Sequence, residues 1–490
     1  MSHTKADTLK RLSHEHYRAR FLSAEALERK VNPISSLAPL ERTPGVISLL
    51  AGKPNPTTFP IASLSLSARA PGFKSGDNES DTAGGAGDLV NLKLSDEALK
   101  EALQYGEGGG VRQFLGWICG LQEKVHGRTC ELYKRGIASE GWKIMIGVGS
   151  LDAFYKAIKS IVNPGDPVLL ESPTYATVLP TLHSLHCSQI GIFRPAVQTD
   201  EDGVSVPHLR SILETWPKGK PKPKVFYTIP TGSNPTGATA TTERRIEVLK
   251  LAREHDFLIL EDDPYYFVYY GDTPRPPSYF NLEAKLAETE GTEVGRVVRF
   301  DSFSKLLSAG LRIGWASGPE PIIDVMIQFT MTVHIHTPSM TQMLTYTLLS
   351  SPSWGHDGLL VHAERISQFY RQKRDAFEAL MQKYLGAGAT SEDAPLAKWT
   401  KPAAGLFFWF EIIVDKSTGG NSETLIRTKA FQNGVLALPG AVFLPGNEQG
   451  KTGYVRASFS LLDEGHAEEA LKRLRKTILQ ARNEFSRGKL

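Results

Sequence analysis

From residue 141 onward the chain alternates short apolar runs with stretches of helical period. The runs are Lys143–Val148 (KIMIGV), Val168–Leu170, Lys224–Ile229 (KVFYTI), Phe257–Leu260 (FLIL), Val297–Phe300 and Ile313–Ala316. Several lack alternating polar positions, as strands covered on both faces require. Between them, Thr241 is placed to cap a helix through Ile246, Leu249 and Ala252. This alternation predicts an α/β domain: a mostly parallel sheet with helices on both sides.

After about residue 340 the pattern changes to long helices, a few strands and a last helix. That helix starts near Asp463 and places Ala467, Ala470, Leu471, Leu474 and Ile478 on one face. A second, smaller α+β domain is expected here. The N-terminal segment is expected to join it, leaving the larger domain inserted in the middle. Lys74 to Gly87 (KSGDNESDTAGGAG) reads as a mobile surface insertion. The resulting division is an N-terminal arm over 1–50, part of the small domain with the insertion over 51–90, a large domain over 91–340 and a small C-terminal domain over 341–490.

Composition removes several alternatives. The chain has 490 residues, 41% hydrophobic and 22% charged, which excludes a disordered chain, a collagen-like repeat and a small disulfide scaffold. Lys plus Arg is 56 and Asp plus Glu 53, a net +3 that gives no bulk field for nucleic acid. Cys119, Cys130 and Cys187 lack metal-ligand spacing and suit a reducing compartment. The longest apolar run, Gly405 to Val414, contains Glu411 and is too short to span a bilayer. The N-terminal stretch lacks an apolar signal core and carries Asp7 and Glu15, against a secretory or mitochondrial address. A cytoplasmic location is expected, with the Gly488-Lys489-Leu490 terminus a weak peroxisomal alternative. His183, His186 and Cys187 follow a helical pattern without further ligands, so no metal is expected. His334 and His336 alternate as strand residues would.

Four stretches carry candidate chemistry. In Ser302-Phe303-Ser304-Lys305, a lysine follows a predicted strand, with two hydroxyls before it and Arg312 seven residues on. A lysine in a cleft there loses proton affinity through desolvation and nearby cations, which suits imine formation. Ser302, Ser304 and Arg312 offer donors to a phosphate. A single such lysine is otherwise an ordinary solvated charge. Asp262 and Tyr265 lie in EDDPYY after an apolar strand, where open α/β sheets bind ligands. The plainer alternative is an acidic loop capping the next helix. Asn234, between Pro230 and Pro235, is either a rigid amide donor or a member of a plain loop. Gly147-Val148-Gly149-Ser150 opens a helix through Leu151, Phe154, Ala157 and Ile158. Glycine there lets backbone amides approach a phosphate at the positive helix end.

Together, in this order, the four stretches resemble the class I/II aminotransferases of fold type I, which use pyridoxal 5′-phosphate (PLP). The likeness is nearest to the aromatic amino acid, kynurenine and 2-aminoadipate aminotransferase subgroup. It covers roughly residues 45 to 480 and includes LAGKPNP at 50–56, ALQYG at 102–106 and RASFS at 456–460. The resemblance implies a mostly parallel seven-stranded sheet flanked by helices, plus a smaller α+β domain. It implies Lys305 as the Schiff-base lysine, Asp262 as partner of the pyridine nitrogen, and Asn234 and Tyr265 as donors to the ring oxygen. Tyr175 would stack on the ring. Ser150, Leu151 through its backbone, Ser302, Ser304 and Arg312 would hold the phosphate. Tyr105 would reach the phosphate of the other subunit, implying a homodimer with shared active sites. Arg456, Gly52 and Asn234 would bind the substrate carboxylate.

The departures bear on substrate. Ser35 and Ser36 follow Pro33-Ile34 where long dicarboxylic donors meet a basic residue in the subgroup. Lys53 takes a position usually apolar there and is a candidate for the distal carboxylate of 2-oxoglutarate, the alternative being a snorkelling surface lysine. Phe407, Phe408 and Trp409 favour an apolar side-chain pocket. Ala309 replaces a proline common before Gly310. The expected function is transfer of an amino group from an aromatic L-amino acid to a 2-oxo acid. The alternative is 2-aminoadipate or kynurenine as donor. PLP lyase or decarboxylase chemistry is a further rival, as is an aminotransferase-like regulator, for which the first 45 residues lack a winged-helix pattern.

Overall fold

A computed structural model describes residues 9–30, 32–33, 37, 40–41, 43–50, 52–73, 89–130, 141–193, 203–388, 394–413, 421–445 and 452–486. The expectations for the 74–87 insertion, for residues 34–36 and for the 488–490 terminus lie outside these residues. Contacts divide the chain into two compact units, Met1–Asn163 with Ser278–Arg365, and Pro164–Pro277 with Ile366–Leu490.

A short antiparallel pair comes first, β1 (Ser65–Arg69) with β2 (Leu89–Lys93). The strands that follow are β3 (Trp142–Gly147), β4 (Pro167–Ser172), β5 (Ser188–Phe193), β6 (Val225–Thr228), β7 (Leu258–Asp262), β8 (Val297–Ser302) and β9 (Gly314–Pro319). They form a seven-stranded sheet of order β3-β9-β8-β7-β6-β4-β5. β4 is parallel to β5 and β6, and β6 to β7, while β9 runs antiparallel to both β3 and β8. Every residue of β4, β6, β7, β8 and β9 is buried, which is why β4, β6 and β7 carry no polar alternation, while in β8 Arg299 and Asp301 are buried as an ion pair at 2.7 Å. The helix Thr242–Glu254 begins where expected, with Thr241 accepting from the Arg244 amide.

The second sheet is antiparallel, of order β10-β11-β13-β12, where β10 is Ala397–Trp399, β11 Phe407–Ile412, β12 Leu438–Pro439 and β13 Tyr454–Ser458. The final helix, Glu464–Ser486, is capped by Asp463, which accepts from the His466 amide at 2.7 Å. It buries Ala467, Leu471, Leu474 and Ile478 in a cluster with Phe377, Met381, Phe408 and Phe410. Phe408 is thus core, while its neighbour Phe407 on the opposite face of β11 is only half-buried.

Residues 10–28 pack within the first unit. Leu12 and Val294 exchange backbone bonds with their neighbours, Tyr17 OH donates to Gly295 O at 2.6 Å, and Ser23 Oγ donates to Lys159 O at 2.9 Å. The helices His14–His16 and Ala24–Glu28 are too short for their period to be read, so the anchoring role of buried Tyr17 and Phe21 was not legible. His334 and His336 are not on a strand. The helix Glu320–Val333 ends at His334, and Ile335 turns the chain with φ 65°. His183 lies on the helix Leu179–Ser184, whereas His186, with φ 51°, and buried Cys187 lie in the turn before β5.

Candidate active site

In the first unit, three chain segments meet at the ends of β3 and β8. β3 ends at Gly147, and Gly149 precedes the helix Ser150–Ile161 with φ +87° and no side-chain cap. The amides of that helix's first turn have no intrahelical acceptor. β8 ends in Ser302, whose Oγ accepts from the Ser304 amide and lies 3.0 Å from Ser304 Oγ. Arg312 then bends back in the left-handed region, φ 51°. Its Nη1 donates to Ser304 Oγ and Ala309 O, both at 3.1 Å, and its Nη2 donates to Val148 O at 3.2 Å. A Cβ on Gly149 would stand 2.4 Å from Arg312 Nη2 and push the guanidinium aside, and the positive φ itself favours glycine. Ser150, Ser302, Ser304 and Arg312 are therefore gathered into one cup of donors, with the Leu151 amide next along the helix. Lys305 sits half-buried beside it, and burial first, then the Arg312 guanidinium, holds its amine below the ordinary lysine range.

In the second unit, β6, β7 and β13 present a different set. Parallel pairing places Tyr227 beside Leu260, two residues before Asp262. Tyr227 OH donates to Asp262 Oδ2 at 2.8 Å, and both are buried. Burial, then the Asp262 carboxylate, pushes the Tyr227 phenol well above its usual range, so it remains a donor. Asn234 is 5% exposed, and its Oδ1 accepts from Arg456 Nη1 at 2.7 Å. The Arg456 guanidinium lies 4.1 Å from the Phe407 ring centroid, and its buried Nε has no hydrogen-bond partner among the described residues. Burial lowers its pKa, against the opposing influence of Tyr265 and Tyr175. Tyr265 meets Phe407 edge-on at 6.3 Å, and burial, then Tyr175, raises its phenol pKa. Asn234, Asp262, Tyr265, Tyr175 and Arg456 are thus brought together.

Three further candidates lie in the first unit. Gly52 and Lys53 are exposed, on a segment fastened by Gln104 Nε2 donating to Pro54 O at 2.9 Å. Tyr105 is 53% exposed, edge-on to His336 at 6.2 Å. Tyr227 was missed by sequence reasoning, although a tyrosine within an apolar strand two positions from the register of an acid is a usable signal. Arg245 was missed as well. Fully buried, it donates to Pro230 O, Ala240 O and Thr231 Oγ1 and so fixes the loop that carries Asn234.

Each donor set, taken by itself, matches one part of PLP. The cup in the first unit matches a phosphate dianion and has beside it an amine held below the ordinary lysine range. The second unit offers a buried carboxylate for a pyridinium proton, and amide and phenol donors for a ring oxygen.

Comparison with known proteins agrees. The model of "Aminotransferase class I and II" matches residues 85–474. An aminotransferase of Emericella nidulans, tdiD, is 39% identical over 90% of this chain and 91% of its own. The mitochondrial kynurenine/alpha-aminoadipate aminotransferase of Bos taurus is 34% identical over 94% of this chain and 99% of its own. The crystal structure of the aminotransferase Aro8 from Candida albicans shares the fold with a TM-score of 0.79 at 24% identity, covering 98% of this chain and 100% of its own. With the family model matching 85–474 and relatives of 34–39% identity spanning nine-tenths of the sequence, this chain belongs to the class I and II aminotransferases.

Proposed function

We propose that this aminotransferase moves the amino group of an aromatic L-amino acid, of the Phe, Tyr or Trp type, to a 2-oxo acid such as 2-oxoglutarate, with PLP as cofactor and ping-pong kinetics. PLP, when bound, supplies an electron-withdrawing ring that carries the amino group between the half-reactions. The Ser150 and Leu151 amides, Ser302, Ser304 and Arg312 would take its phosphate. Tyr175 would lie against the ring, and Asn234 and Tyr265 would donate to the ring oxygen. Asp262 would keep a proton on the ring nitrogen, with Tyr227 holding the carboxylate in place. Lys305 Nζ, held below the ordinary lysine range, would take the proton from substrate Cα and pass it to the cofactor's C4′ in the first half-reaction, and carry a proton the opposite way in the second. Arg456 would grip the α-carboxylate with the unpaired edge of its fork, assisted by Asn234 and the backbone of Gly52.

The donor reading rests on one observation. The carboxylate clamp is walled by aromatic rings: Arg456 lies 4.1 Å from Phe407 and 5.1 Å from Phe443. A desolvated arginine beside two rings suits a substrate that is anionic at one end and apolar at the other. Relatives named aromatic amino acid aminotransferases, such as one from Schizosaccharomyces pombe at 29% identity, support it. Kynurenine or 2-aminoadipate is the second reading, supported by the Bos taurus relative. The reading includes a cytoplasmic homodimer, supported by exposed Tyr105 and by three buried thiols. Among the described residues, no helix is long and apolar enough to cross a membrane. The test is initial rates with Phe, Tyr, Trp, kynurenine and 2-aminoadipate against 2-oxoglutarate. The aromatic donors should show the highest kcat/KM, and a clear preference for 2-aminoadipate would reject the reading.

A further inference from the structure

The turn after β3 contains an ion pair that none of the roles above uses. Asp152 is the third residue of the helix Ser150–Ile161. Its Oδ2 accepts from the Val148 amide at 2.9 Å and from Lys156 Nζ at 2.7 Å. The Lys156 side chain is 1% exposed, that of Asp152 22%. The same residue is held from its other side, because Val148 O accepts from Arg312 Nη2 at 3.2 Å. Both backbone polar groups of Val148 are therefore tied, its N–H to a carboxylate and its C=O to the guanidinium of the donor cup. The carboxylate also lies tight under Gly147, where a Cβ would stand 2.6 Å from Asp152 Oδ2.

The charges make the arrangement informative. A carboxylate in the first turn favours its own helix. Beside a phosphate cup, however, it opposes a bound dianion. One neutral amide does not cancel that charge; a buried ammonium does. Packing alone would be served by an aliphatic residue, and burying an amine carries a desolvation cost. Burial lowers the Lys156 pKa, and Asp152 is the group that opposes the shift.

We infer that Lys156 is a positioning residue for the cofactor: by neutralising Asp152, it lets that carboxylate hold the Val148 amide, and with it the Gly147–Ser150 turn, without repelling the phosphate. The inference rests on the PLP reading above.

The test is the Kd for PLP of apoprotein, followed by tryptophan fluorescence and visible absorbance, with circular dichroism and melting of each apoprotein alongside. Lys156→Gln should weaken PLP binding about tenfold, because the Asp152 charge is then unopposed. Lys156→Arg should return affinity to within roughly threefold of the parent, and the doubly neutral Asp152→Asn/Lys156→Gln should do the same. Wild-type affinity in Lys156→Gln, or a double variant as weak as Lys156→Gln, would overturn the inference. Should Lys156→Gln alone lose its fold, the double variant decides: near-parental affinity supports the charge account and weak affinity rejects it. A wild-type protein that bound no PLP would instead sink the underlying reading.

Discussion

Arg456 donates through Nη1 to Asn234 Oδ1 at 2.7 Å, and so binds β13 to the loop after β6. The bond presets the arginine before any substrate arrives and leaves Nε for a carboxylate. Lysine cannot make both contacts in one plane. Arg456→Lys should therefore lower kcat/KM by about 2 kcal/mol, roughly thirtyfold, for the amino donor and the 2-oxo acid alike. The loss should fall mainly on KM, since the same α-carboxylate is gripped in both half-reactions. Steady-state kinetics with each substrate varied in turn checks this.

The depressed Lys305 amine has two causes, burial and then Arg312. Attack on an aldehyde needs the neutral amine, so the rate of PLP attachment to apoprotein should rise with pH, with a midpoint below the ordinary lysine value. Arg312→Gln removes one cause and should move that midpoint upward at saturating PLP. The unfolded chain binds this proton more tightly than the folded one. The contribution of Lys305 to stability therefore grows as pH rises from the folded to the ordinary value. Stopped-flow absorbance across pH 6 to about 10 gives the profile.

Tyr227→Phe leaves Asp262 buried without its phenol donor at 2.8 Å. A hydrogen bond to a charged group is worth about 1.5 kcal/mol or more, so kcat should fall roughly tenfold with the KM values little changed. A kcat unchanged in this variant would remove Tyr227 from the account.

Lys53 is exposed, so an ion pair with the distal carboxylate of 2-oxoglutarate would be screened. Lys53→Met should raise the 2-oxoglutarate KM about threefold and leave that of an aromatic donor unchanged. Equal KM values for 2-oxoglutarate would show the residue to be a plain surface lysine.

Much of this was legible from local pattern. The buried strands announced themselves as unbroken apolar runs, Thr241 as a helix cap and Asp463 as the start of the last helix. β5 did not, because Ser188–Phe193 interrupts its apolar residues with Gln189 and Gly191 at the sheet's edge. β1 and β2 were hidden by short, half-exposed alternation on either side of the 74–87 insertion. The motif residues Lys305, Asp262, Asn234 and Arg456 could be singled out because each lies in a recognisable string, Asp262 at the end of β7 and Lys305 just after β8. Tyr227, Arg245 and Lys156 could not, since their roles depend on partners fixed by strand register, loop closure or a helical turn.

The central claim is that PLP is tethered to the amine at position 305. The direct measurement is borohydride reduction of PLP-supplemented protein, followed by proteolysis and mass analysis of the peptide containing Lys305. The account predicts visible absorbance that is lost on reduction, and a reduced pyridoxyl phosphate fixed on that peptide. A colourless protein whose Lys305 peptide keeps its unmodified mass would contradict it.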